Sequence, residues 1–263
     1  MTVLVGADPE VFVKDAKGRF RSAHGLVPGT KEAPHPVKDG AIQVDGLALE
    51  FNIKPARSSR AFVNNISSVL SQLADAVPKY EIVIEPTAIY HGNHMRAQPE
   101  EALELGCEPD FNAYTEAENP RPDNNTNMRT AAGHVHIGFT NNANVKDTVH
   151  FQKCITLVKH LDAFLGHPSL IWDNDQKRRS MYGKAGCFRP KPYGVEYRTL
   201  SNMWLKDKRL MAYVFNQVQR TVAFLQEGHR VNDTQPWAIN SGDRWSSRRF
   251  LEREEYIQQP PAL

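Results

Sequence analysis

The sequence is poor in cysteine, in long apolar runs and in net charge. Its three cysteines, Cys107, Cys154 and Cys187, are odd in number and none sits in a CxxC pair. A disulfide framework and a structural zinc site are therefore not expected, and the thiols read as small buried hydrophobes. No stretch approaches the ~20 apolar residues that cross a bilayer. The start, MTVLVGADPEVFV, is interrupted by acids too early for a signal peptide. The expected location is the cytoplasm, with no membrane partner. With 32 basic and 30 acidic residues the net charge is +2, which gives no bulk attraction to nucleic acid. Repeats and low-complexity tracts are absent as well.

What remains is an ordinary globular composition, 40% apolar and 24% charged over 263 residues. Three segments carry apolar residues at helical spacing. Ser58 or Ser59 caps the first, with Phe62, Ile66, Leu70 and Leu73. The second, 147–165, carries Cys154, Val158, Leu161 and Leu165, with Gly166 and Pro168 as its expected stop. The third, 207–226, carries Leu210, Val214, Val218 and Leu225 and ends at Gly228. The stretch 91–132 is rich in Pro, Asn and charge and too long for a simple connection, so it reads as a lid or insert. The tail 229–263 is polar and is expected to wrap the surface or fray.

Between the helices lie alternating segments. In LALEFNI (47–53) the odd positions Leu47, Leu49, Phe51 and Ile53 are apolar and Glu50 faces the other way. In GHVHIGF (133–139) His134 and His136 share one face; in VEYRTL (195–200) Glu196 and Arg198 do. Asp8 and Glu10 also share parity. Strand side chains alternate faces, so each set points one way. The expected fold is α+β: a curved, mainly antiparallel sheet with helices on its apolar face. Its polar face holds carboxylates, imidazoles and an Arg rather than the Lys, Thr and Ser of a merely solvated face. Carboxylate oxygens suit Mg²⁺, and Arg presents a planar fork to carboxylate or phosphate.

These motifs resemble, in content and order, the glutamine synthetase and glutamate–cysteine ligase superfamily. GADPEVFV (6–13) is similar to its first acid-x-acid strand, LALEFNIKPA to its acidic strand, GHVHIGF to its HxH strand and GVEYRTL to its closing E-x-R strand. The nearest pattern is the bacteriophage carboxylate–amine ligase branch (COOH–NH2 ligase type 2), and the resemblance spans about residues 3–205. It implies an ATP-dependent ligase that phosphorylates a carboxylate and lets an amine displace the phosphate. It implies Mg²⁺, with Mn²⁺ as a substitute, held by Asp8, Glu10, Glu50, His134 and Glu196. His136 would contact an ATP phosphate, and Arg198 the carboxylate or the transferred phosphoryl group. In the basic segment 176–194, Arg189 and then Arg179 are the expected phosphate contacts, with Lys184 and Lys191 beside them. The substrates would be small-molecule or peptide carboxylates and amines, and the location a host cytoplasm if a phage encodes the chain.

On this reading 1–228 is the catalytic domain and 229–263 a C-terminal extension. The chain begins at the catalytic strand, so a ring oligomer is not implied and the oligomeric state stays open. Asp8 stands where the superfamily has Glu, a shorter reach. Glu85 and Asp45 are candidates for missing second-site carboxylates. Two other readings compete: a Zn²⁺ or Fe²⁺ enzyme using the HxH pair and a later Glu, and a catalytically silent binding protein of the same fold.

Overall fold

The computed structural model describes residues 3–103, 110–120 and 126–261. Cys107 lies outside them; Cys154 and Cys187 are both buried, as expected. The chain opens with β1 (Leu4–Lys14), β2 (Phe20–Arg21), β3 (His35–Val37), β4 (Gly40–Asp45) and β5 (Ala48–Ile53). Helix α1 (Ser59–Ala76), β6 (Glu81–Val83), β7 (Thr87–Ile89), α2 (Gly92–Arg96) and α3 (Glu100–Leu103) follow. Next come β8 (Phe111–Asn112), β9 (Met128–Thr130), β10 (Gly133–Gly138), α4 (Thr148–Leu161), α5 (His167–Trp172) and α6 (Gln176–Met181). The last are β11 (Cys187–Lys191), β12 (Gly194–Tyr197), α7 (Lys208–Gln226), α8 (Pro236–Ser241) and α9 (Arg244–Arg253).

One antiparallel sheet organises the molecule, in the order β3-β4-β5-β1-β10-β12-β11-β8, with β2 and β6 also on β1 and a separate β7-β9 pair. The expected α+β architecture is what forms. The odd residues of β1, Val5, Ala7, Val11 and Val13, join Leu49, Phe51, Val135, Ile137, Val195 and Tyr197 in the main core. Helices α1, α4 and α7 cover that face with Phe62, Ile66, Val158, Leu161, Val214 and Val218. Their N-termini are satisfied as the sequence suggests. Ser58 Oγ accepts the Ala61 N–H, and Asp147 and Asp207 side chains accept from His150 and Arg209.

Leu47 departs from the expected strand face. Asp45 pairs with Ala48, so Gly46 and Leu47 form the hairpin turn, and Gly46 takes φ +56. Leu47 packs instead with Phe12, Val83, Ala88 and Tyr90 in a second cluster on the polar side of the sheet. That cluster walls off one edge of the site.

Gly166 and Pro168 do not stop the second helix. A π-turn at Asp162–Gly166 joins α4 to α5, and the His167 N–H bonds the Asp162 carbonyl five residues back. Pro168 then sits in the first turn of α5, where its missing N–H costs nothing. The tail does not simply wrap the surface either. Phe250, Leu251 and Ile257 bury against Ala163, Phe164 and Phe224 in a third cluster. Buried His167 ties this region together, its ring nitrogens 2.8 Å from Ser247 Oγ and 2.8 Å from the Thr234 carbonyl.

Candidate active site

Strand register brings the polar residues together. Asp8 pairs with His134, and Gly6 with His136. Glu10 pairs with Glu50 across β1 and β5. His136 pairs with Glu196, which pairs in turn with Arg189 on its other side. Cross-strand partners share a face, so six chemically active side chains and Arg198 converge on one side of the sheet. A cavity of about 110 Å³ opens there, lined by Asp8, Glu10, Glu50, His134, Arg189 and Arg198 among others.

The tightest convergence is Asp8, His136 and Glu196, whose donor atoms lie within 4.8 Å of one another. Asp8 Oδ1 and His136 Nε2 are 2.8 Å apart. Both atoms are buried, yet they are not aligned to share a hydrogen. His136 Nδ1 meets the Tyr193 hydroxyl, which fixes the ring and leaves Nε2 facing the carboxylates. Two carboxylate oxygens and an imidazole nitrogen aimed at one point fit a divalent cation, and the oxygen majority favours magnesium or manganese.

Fixed cations crowd the same carboxylates. Glu196 is fully buried. It contacts Arg198, Lys191 Nζ at 3.0 Å and Arg189 Nη1 at 3.4 Å. Arg198 is braced by Asp110 Oδ2, 3.1 Å from its Nε. Burial alone would raise the Glu196 carboxyl, but Arg198 outweighs it and holds the group well below the usual range. Burial likewise opposes the Asp8 charge, and His136 and His134 overcome it.

The histidines differ from the expectation. His134 Nδ1 lies 3.4 Å from Glu196 and 3.6 Å from Asp8. It also meets Arg198 Nη1 at 3.4 Å. Burial and Arg198 push it down to about 4, so at neutral pH it is an uncharged imidazole. His136 is raised instead, since Asp8 outweighs its burial. The imidazole converging with Asp8 and Glu196 is thus His136, expected at a phosphate, and not His134, expected at the metal.

Glu10 and Glu50 stand apart from that group. Glu10 Oε2 accepts the Ala132 N–H at 2.8 Å, and Glu50 Oε2 accepts Gln43 Nε2 at 2.8 Å. Burial and Asp45 raise Glu10 to about 7; burial and Asp8 raise Glu50 well above its ordinary value. Asp45 lines the cavity. Glu85 does not; its side chain pairs with Lys14.

Two expected phosphate contacts are elsewhere. Arg179 is buried against Asp173, with Nη2 3.4 Å from Oδ2, because its position on α6 points behind the cavity wall. Lys184 is exposed and outside the cavity lining. The neighbouring Arg178 lines the cavity in their place, as do Lys31, Asp110, Arg129 and Tyr182. Arg178 could have been found in the basic run. Asp110 and Arg129 sit in the irregular segment 91–132, where no periodicity marks a facing direction.

Residues 113–236 match the sequence model of the family described as phage phiEco32-like COOH.NH2 ligase-type 2. The resemblance read from the sequence is borne out. This stretch, a little under half of the chain, contains the HxH strand, the basic segment and the E-x-R strand, and it stops short of β1. No curated protein matches the chain. Among the described residues no helix is long and apolar enough to cross a membrane.

Proposed function

We propose that this chain joins a carboxylate to an amine at the expense of ATP, with Asp8, His136 and Glu196 holding magnesium or manganese. The observation that carries the reading is the convergence of those three donors beside Arg189, Lys191 and Arg198, in a chain whose matched family is described as a ligase. Magnesium, when bound, would bridge phosphate oxygens and offset the charge that develops in transfer.

A free carboxylate is a poor acylating agent because oxide would have to leave. In the proposed reaction its oxygen attacks the terminal phosphorus of ATP and ADP departs with the bonding electrons. The amine nitrogen then attacks the acyl carbon, inorganic phosphate leaves, and the nitrogen loses a proton. The chain's own part is positional and electrostatic. Arg198, braced by Asp110, presents a fixed guanidinium beside the reacting groups. Arg189 and Lys191 reach the same point from β11 and would meet phosphate oxygens. Neutral His134 orients Arg198 rather than donating a charge-bearing proton. Part of the cavity wall, Asp110 and Arg129, comes from 91–132, and closure of that segment would exclude water from the acyl phosphate.

The direct test is ADP release with magnesium over a matrix of amino acids, peptides and amines, with the amide product identified. Glu196→Gln and His134→Ala should abolish amide formation while circular dichroism stays unchanged. No stimulated ADP release by any pair, or wild-type turnover in either variant, would sink the assignment.

A further inference from the structure

Two buried cations in the cavity wall lack a carboxylate partner. Arg129 and Arg178 are 6% and 2% exposed. Arg129 donates from Nη1 to the Thr126 and Met128 carbonyls and from Nη2 to the Leu103 carbonyl. Arg178 donates from Nη1 to the Thr199 carbonyl and from Nη2 to the Arg198 carbonyl. Among the described residues, neither forms an ion pair with a carboxylate, and the Nε of each is buried without a hydrogen-bond partner. The Tyr182 hydroxyl is a third buried donor without a partner, and all three residues line the same cavity.

A buried guanidinium without a counter-charge is costly, and so is a buried hydroxyl without a partner. Burial is felt in the titration: Arg178 is lowered to about 10 and Tyr182 is raised to about 12, so both remain donors at neutral pH. The chain nonetheless takes trouble to seat Arg178. Gly183 follows α6 at φ +77, and a Cβ there would lie 2.1 Å from Arg178 Nη1 and 2.7 Å from the Thr199 carbonyl. Facing these donors across the cavity are Glu10, Asp45 and Glu50, with Lys31 Nζ 3.6 Å from Asp45.

From this arrangement we infer that Arg129, Arg178 and Tyr182 form a carboxylate-binding subsite for an amino-acid substrate, holding a carboxylate that the reaction leaves intact. The inference rests on the ligase reading only for which molecule is consumed. A carboxylate would supply the missing counter-charge and accept from the free donors. Its ammonium group would face the acidic wall. The cavity of about 110 Å³ suits a small amino acid rather than a nucleotide.

The test is calorimetric titration of the full chain, without turnover, with L-alanine, L-glutamate, their α-amides and, separately, ATP with magnesium. At least one amino acid should bind, and its α-amide should bind about tenfold more weakly or worse, as expected for loss of contacts to charged groups. Tyr182→Phe should weaken the amino acid by a similar factor and leave ATP unchanged. Arg178→Lys serves as the second variant, with its fold checked by thermal unfolding. Equal binding of acid and amide, no binding of either amino acid, or a Tyr182→Phe effect on ATP alone would each overturn the subsite. An amino acid that binds through these residues without any ADP release would sink the ligase reading and leave the subsite standing.

Discussion

Glu10 on β1 lies directly opposite Glu50 on β5, so two like-charged groups are neighbours on the enclosed face of the sheet. Burial and Asp45 lift Glu10 to about 7, and burial with Asp8, Asp45 and Glu10 lifts Glu50 further. Each folded-state value lies above the ordinary 4.5. Their favourable contribution is therefore present in acid and is lost as pH rises through about 7. In chelator-treated protein, Glu50→Gln should raise the melting temperature at pH above about 7 and leave it nearly unchanged below about 4.5. Thermal unfolding across pH would show this; an equal shift at every pH would contradict it.

The two histidines should separate in metal binding. His136→Ala should weaken Mn²⁺ binding by about tenfold or more, because it removes a donor. His134→Ala should change it by only about threefold or less, since its ring serves Arg198, Glu196 and Asp8 from the side. Titration of Mn²⁺ followed by electron paramagnetic resonance, with no substrate present, distinguishes them. The reverse ranking would restore His134 as the ligand.

His167 gives a pH dependence far from the site. Burial pushes it down from 6.5 to about 4. A depressed imidazole stabilises the fold above 6.5 and withdraws that contribution as pH falls towards about 4. The full loss is about 3 kcal/mol at 1.36 kcal/mol per pH unit. Denaturant unfolding of the wild type should show this acid weakening, and His167→Gln should show much less of it.

The tail should prove integral to stability. Phe250 is 1% exposed and stacks on the His167 ring at a centroid distance of 4.1 Å. Phe250→Ala should cost about 3 kcal/mol or more. A chain cut after Gly228 should lose its cooperative melting transition, because Phe164 and Phe224 would face water. A truncated chain that melts like the full one would show the third cluster to be dispensable.

Strand parity made most of the site legible in advance. Asp8, Glu10, Glu50, His134, His136, Glu196 and Arg198 share a face because period-two alternation is a local property, and the register turns it into convergence. Ring direction is not local, and for that reason His134 and His136 exchanged their expected places. The basic segment shows the same limit. Arg178 and Arg179 are adjacent and chemically alike in sequence, but helix α6 sends one into the cavity and the other against Asp173. The tail read as polar because its apolar residues are few, while Phe250, Leu251 and Ile257 fill a gap left by Phe164 and Phe224. The π-turn was hidden for a related reason. Gly166 and Pro168 are stop signals only for a helix that keeps its regular winding.

The backbone ladder through β1 carries one further consequence. The carboxylates and imidazoles are placed by hydrogen-bonded register, not by loops. Deleting a single residue between Gly6 and Glu10 would turn one acid toward the hydrocarbon side and dismantle the constellation at once. Length changes at the β2–β3 connection would leave it untouched. In this protein a frameshift of one rung is more damaging than the gain or loss of a whole surface loop.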